Sequence, residues 1–118
     1  MLIENIRSLQ PGTIIPKPEA TATFKIKGWG ERRGESALIY WIPNHKNPSK
    51  PLAKGVTVSE FERAHAEIIA TGQFTRAWFK FNLSTCANEG GCNFTTIGGV
   101  FELLGLARYA SRGTYVLC

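Results

Sequence analysis

Two histidines, three cysteines and nine glutamates are the main stock of acid, base and thiol chemistry in this chain, which contains no aspartate. Without aspartate there is no aspartyl dyad, no EF-hand loop and no Asp-based triad. His65 follows Glu62 by three residues, a helical spacing at which a carboxylate can orient an imidazole. His65 also shares an apolar stripe with Phe61 and Ile69, which favours a hydrogen-bonded core histidine. His45 sits beside Lys46 in a proline-rich stretch with no carboxylate near it in sequence. Cys86 and Cys92 are spaced C-x5-C, wider than the roughly two to four residues between paired zinc ligands, and no second pair follows. Glu31 or Glu35 with a hairpin lysine could support a nuclease-type site, a reading that the absence of aspartate weakens. No nucleophile elbow, zinc-protease motif or nucleotide fingerprint occurs. The expectation is therefore no catalytic residue, no metal and no cofactor, and the reading leans away from an enzyme.

The charge is more informative than the acid–base inventory. The chain carries a formal +5, and all of it belongs to residues 1–54, where nine Lys and Arg face four Glu. Residues 55–118 balance five against five. A one-sided basic surface suits an anionic partner, most often nucleic acid. The competing reading is charge that serves solubility alone. At 118 residues, 43% hydrophobic and 19% charged, the chain has the composition of one globular domain with a real core. No apolar run approaches a membrane span, and Glu4 and Arg7 break the N-terminal segment, so neither a membrane anchor nor a signal-peptide core is expected. Three cysteines without such a signal suggest free thiols in a reducing cytoplasm.

The elements that would carry these residues follow from periodicity. Leu2, Ile3, Ile6 and Leu9 predict a short helix closed by Pro11-Gly12, and residues 13–20 read as extended or looped. From Thr21 the period becomes two. Ala22, Phe24 and Ile26 fall on one strand face, and Thr23, Lys25, Lys27 and Trp29 on the other. Gly28 to Gly34 reads as a turn with Arg32 and Arg33 at its tip, and Ser36 to Ile42 as a buried returning strand holding Tyr40 and Trp41 in the core. Pro43 to Lys54 reads as an exposed basic loop with Lys46, Lys50 and Lys54. Thr57 and Glu60 form a capping box, with Val56 and Phe61 in staple positions, for a helix from Val58 to about Ala70 stopped by Gly72. Thr75 can cap a second helix, residues 87–93 read as a turn, and a third helix is expected from Thr95 to Tyr109. Ser111-Arg112-Gly113 breaks it before a terminal strand at residues 114–117.

Gly98, Gly99 and Gly105 inside the third helix need a reason, since each costs about 1 kcal/mol relative to alanine. Close packing of another backbone is the favoured reason, and a ligand near Thr95 and Thr96 at the helix start the other. From Val56 to Leu117 the order helix, helix, glycine-containing turn, helix and strand after an Arg-Gly turn resembles a winged-helix DNA-binding domain. The resemblance rests on element order and covers about half the chain. It implies that the helix from Thr95 would be the recognition helix and that Ser111-Arg112-Gly113 would open the wing.

The expected architecture is thus a single α+β domain over residues 1–118. A basic β-hairpin and loop (13–55) precede a three-helix segment with a C-terminal strand (56–118) that joins the hairpin sheet, winged-helix-like in order. The expected function is a non-enzymatic nucleic-acid-binding module of little base specificity. Its phosphate contacts would come from Lys25, Lys27, Arg32, Arg33, Lys46, Lys50 and Lys54, with Trp29 as a base stacker and Thr95, Thr96 and Arg112 from the winged-helix-like half. The alternatives are an accessory protein–protein interaction module, with a second copy of the chain as one partner, and, less favoured, a small enzyme.

Overall fold

The computed structural model describes residues 1–18 and 20–118; Glu19, within the stretch expected to loop, lies outside the described residues. A short helix α1 (Leu2–Arg7) leads into strands β1 (Ile14–Ile15), β2 (Phe24–Arg32), β3 (Glu35–Ile42) and β4 (Leu52–Thr57). They form one antiparallel sheet in the order β1-β2-β3-β4. The expected loop, Pro43 to Lys54, gives way at Leu52 to β4, which pairs along the whole buried run of β3, from Ala37 with Thr57 to Ile42 with Leu52. The loop's prolines lie upstream, so nothing in 52–57 removes a ladder donor.

The hairpin turn is much tighter than the expected seven residues. Arg33 (φ 51°) and Gly34 (φ 77°) both take positive φ, the two-residue geometry whose twist matches antiparallel strands. Gly28 and Gly30 therefore lie inside β2. Lys27 is the extra residue of a bulge between the Ile26–Tyr40 and Gly28–Ile39 pairs, with Gly28 at φ 148°. The bulge reverses the alternation downstream. Trp29 pairs with Leu38 and so shares the core face with Ile26 and Tyr40, not the outer face with Lys25.

The second half runs α2 (Val58–Thr71), β5 (Gln73–Thr75), α3 (Arg76–Asn82), α4 (Ser84–Glu89), α5 (Cys92–Leu103), β6 (Ala107–Ser111) and β7 (Thr114–Leu117). The capping box is formed: the Thr57 hydroxyl accepts from the Glu60 backbone N–H, and the Glu60 carboxylate accepts from the Thr57 N–H. Gly72 closes α2 in the left-handed conformation, and Thr75 caps α3 through the Trp78 N–H. The segment expected as a turn at 87–93 is largely helical, in α4 and the start of α5. The third helix stops at Leu103, short of Tyr109, and Gly105 reverses the chain at φ 72°. Residues 107–111 then form β6, which pairs with β7, while β7 also pairs with β5. The terminal strand thus belongs to a separate sheet of order β5-β7-β6 and does not join the hairpin sheet.

Helix α5 sits between the two sheets. Asn93, Phe94 and every residue from Thr96 to Phe101 are buried. Its adjacent glycines serve opposite neighbours, because consecutive helical residues point about 100° apart. A Cβ on Gly98 would fall 2.1 Å from the Tyr115 ring of β7, and one on Gly99 would fall 2.6 Å from the Pro16 carbonyl. Packing is therefore the reason for this pair. Phe74, Phe79, Phe94, Phe101 and Tyr115 form the aromatic centre, with Phe74 and Phe94 at 4.9 Å between ring centroids. Helix α5 is thus enclosed along most of its length, with Cys92, Thr95, Glu102 and Leu103 half-buried. Among the described residues no helix is long and apolar enough to cross a membrane, and no cluster of three or more His, Cys or Glu could hold a metal ion.

Candidate functional site

The outer face of the hairpin sheet carries Lys25 and Lys27, neither of which forms an ion pair among the described residues. Lys25 pairs with Trp41 across β2 and β3, so both project from that face. The bulge brings Lys27 back beside them, its Nζ 4.6 Å from the centre of the Trp41 ring. Both lysines are exposed and Trp41 is half-buried. A groove of about 510 Å³ opens here between Lys25, Trp41, Ile42, Pro43 and Pro51. The same face continues over Gly28, Gly30 and Gly55, the register partners around Ile39. Without side chains there, Ile39 lies flat over Gly30 and the Arg32 stem lies over Gly55. Lys46 and Lys50 are exposed on the adjoining loop, which the Asn44 side chain organises by accepting from the Lys46 and Asn47 N–H groups and donating to the Lys50 carbonyl.

Other expected site residues have different partners. Trp29 packs against the core from the inner face of the sheet, with the Arg7 guanidinium 4.1 Å over its ring, and so is not presented beside Lys25 and Lys27 on the outer face. The Arg33 guanidinium pairs with Glu60 at 2.6 Å and with Glu89. It ties the hairpin tip to the N-terminal turn of α2 and the end of α4, and is a structural clasp rather than a free cation. Lys54 shares the inner face with Tyr40 and donates to the Glu89 carbonyl, neutralising the negative end of α4. Arg32 donates to the Glu31 carbonyl. Arg112 lies exposed in the β6–β7 turn, remote in sequence and sheet from Lys25, and is engaged in an interaction of its own. Thr96 is fully buried and Thr95 half-buried. Both hydroxyls accept from Lys17 Nζ, at 2.9 Å for Thr95 and 2.7 Å for Thr96.

Lys17 is the residue that sequence reasoning missed. Besides the two threonines its Nζ donates to the Cys92 carbonyl at 2.8 Å, and it lies 4.4 Å from the centre of the Phe24 ring. Burial, opposed by Cys92 and reinforced by the charge of Arg76, lowers its pKa from 10.5 to about 7. Lys17, Arg76, Phe24, Gly91, Cys92 and Thr95 line a recess of about 250 Å³. A second recess of about 330 Å³ shares Phe24, Ala20 and Cys92 with it and shares Ala22, Ile42 and Pro43 with the Trp41 groove. The three recesses adjoin and trace a channel around the end of the hairpin sheet, with Lys17 and Arg76 at one end and Lys25 at the other.

The thiols and His65 each have their own surroundings among the described residues. Cys86 is buried, which raises its thiol pKa, with the nearby Glu60 carboxylate acting in the same direction. Cys92 contacts the Tyr40 hydroxyl at 3.2 Å, and that hydroxyl donates to the Asn93 amide oxygen. His65 rests edge-on against Phe101 with ring centroids 6.0 Å apart. Trp41, expected in the core with Tyr40, faces outward instead, because strand alternation turns it away from Leu38 and Tyr40. Lys17 and Arg76 had no signal in the sequence, because their meeting depends on how α5 packs beneath β1. No protein-family model, curated protein or solved structure matches this chain, so the reading of its function stands on this geometry.

Proposed function

We propose that the protein binds single-stranded nucleic acid along the outer face of the hairpin sheet. The carrying observation is Trp41 flanked by Lys25 and Lys27 on the outer face of the sheet. An accessible indole offers a stacking platform to any base, and flanking cations follow the phosphates, a combination with little sequence preference. Lys46 and Lys50 on the adjoining loop extend the positive track. Duplex reading by an inserted helix is disfavoured by the burial of α5. The winged-helix likeness of residues 56–117 is proposed as a likeness of fold only. Its support is the order α2-β5-α3-α4-α5-β6-β7 with strands arranged β5-β7-β6.

Fluorescence anisotropy with a labelled oligothymidine of about ten nucleotides tests the reading. Binding should weaken steeply between about 50 and about 200 mM salt. Lys25→Ala with Lys27→Ala should flatten the log–log salt slope by about 1.4, at roughly 0.7 per phosphate contact on a single strand. Trp41→Ala should cost about 1–3 kcal/mol, the range for one stacked base. No binding at low salt by the folded protein refutes the proposal. A second reading, an apolar contact with another protein chain, is favoured by Phe81 on α3, a large apolar side chain left 86% exposed. Sedimentation that responds to Phe81→Ser and not to salt would favour it.

A further inference from the structure

We propose that the recess between Lys17 and Arg76 receives the terminal phosphate of a single strand lying in the channel. This rests on the single-strand reading and assigns which part of the ligand goes where. Arg76 commits one donor to the Gly91 carbonyl at 3.1 Å and stacks 4.6 Å over the Phe94 ring. That fixes the guanidinium plane and leaves its other donors without an acceptor among the described residues. Arginine presents up to five donors in a rigid fork suited to phosphate oxygens. Lys17 stands behind, half-protonated near pH 7, its Nζ held by three uncharged oxygens that cannot neutralise the ammonium form.

No carboxylate among the described residues pairs with either cation or lines the recess. Burial, with the repulsion of Arg76 added to it, brings Lys17 down to about 7. An anion placed between them reverses the penalty. A phosphate monoester, with about −1.5 to −2 charges near neutral pH, does so better than the single charge of an internal diester. The size fits as well. A recess of about 250 Å³ has room for a phosphate that keeps part of its hydration. The channel beyond it, floored by Phe24, Ile42 and Pro43, leads directly to Trp41 and Lys25. The strand's apolar bases would cover that floor while its end is held.

The test compares one oligothymidine carrying a 5′-phosphate, a 3′-phosphate or hydroxyls at both ends, with inorganic phosphate alone as a separate arm read by thermal shift. The wild-type protein, Arg76→Gln, Lys17→Met and the Lys25→Ala, Lys27→Ala pair are measured side by side, with circular dichroism confirming the fold of each. One phosphorylated end should bind about tenfold more tightly than the hydroxyl form, the scale of an added charged hydrogen bond. Arg76→Gln should abolish that difference while leaving the hydroxyl-ended affinity in place, and the paired lysine variant should weaken all three oligonucleotides alike. Equal binding of the three by the wild type, or a preference that survives Arg76→Gln, overturns the assignment and leaves the single-strand reading standing. If no oligonucleotide binds, the single-strand reading and this assignment fall together. Stabilisation by inorganic phosphate that Arg76→Gln removes would then mark the recess as a site for a small phosphate instead.

Discussion

Lys17 gives this fold a stability that should rise with pH, and the size of the rise follows from its cage. Its folded pKa of about 7 lies below 10.5, its value in an unfolded chain. Between those values the unfolded state holds the extra proton, so deprotonation favours folding as pH increases, by at most about 1.36 kcal/mol per pH unit. From pH 7, where the folded amine is half-titrated, to pH 8.5 the linkage relation gives a ceiling of about 1.6 kcal/mol. The window closes there because Cys86 works the other way. Burial raises its thiol pKa above 9.0, so the unfolded thiol ionises first and stability falls at higher pH. The assay is urea unfolding followed by tryptophan fluorescence at pH 7, 7.5, 8 and 8.5. With a slope near 1.5 kcal/mol per molar urea, the wild-type midpoint should climb by about 1 M. Lys17→Met removes the titrating amine and leaves every other group in common, so its midpoint should stay nearly flat over the same range. A wild-type midpoint that is flat or falls from pH 7 to 8.5, or a rise that Lys17→Met retains, refutes the reasoning.

Other perturbations probe the parts that hold the site. Gly98→Ala places a methyl inside the buried Tyr115 ring, which Phe74, Phe94 and Tyr109 pen in, and should cost about 3 kcal/mol or more despite alanine's better helix propensity; a thermal shift near zero would refute this packing. Thr57→Ala removes the hydroxyl half of the α2 capping box and should destabilise by about 1 kcal/mol in urea unfolding, whereas Ser should be nearly neutral. Arg33→Ala strands the largely buried Glu60 carboxylate and should lower stability by about 1–3 kcal/mol, with oligonucleotide affinity unchanged once the folded fraction is held equal. A selective loss of binding in that variant would return Arg33 to the interface.

What the sequence determined by itself was local. The α2 capping box, the Gly72 stop, the Thr75 cap and the helical stripe of α1 are each decided within a few residues, where hydroxyl reach and the 3.6-residue period leave one favourable arrangement. Net charge and its confinement to residues 1–54 are properties of the list of residues and needed no fold. The tertiary structure decided whatever depends on register or on a meeting between distant segments. One bulge residue, Lys27, turned Trp29 inward and left Trp41 as the aromatic beside the lysines, because a shift of one position exchanges every downstream side chain between faces. The strands β4 and β6 are short and become strands by pairing, their backbone donors satisfied only once β3 and β7 are in place. Arg33 and Lys54 look like free surface charge in sequence, yet Glu60 and Glu89 reach them only after α2 and α4 have docked. The caging of Lys17 by Cys92, Thr95 and Thr96 spans more than seventy residues, and no local rule anticipates a contact made by packing α5 beneath β1.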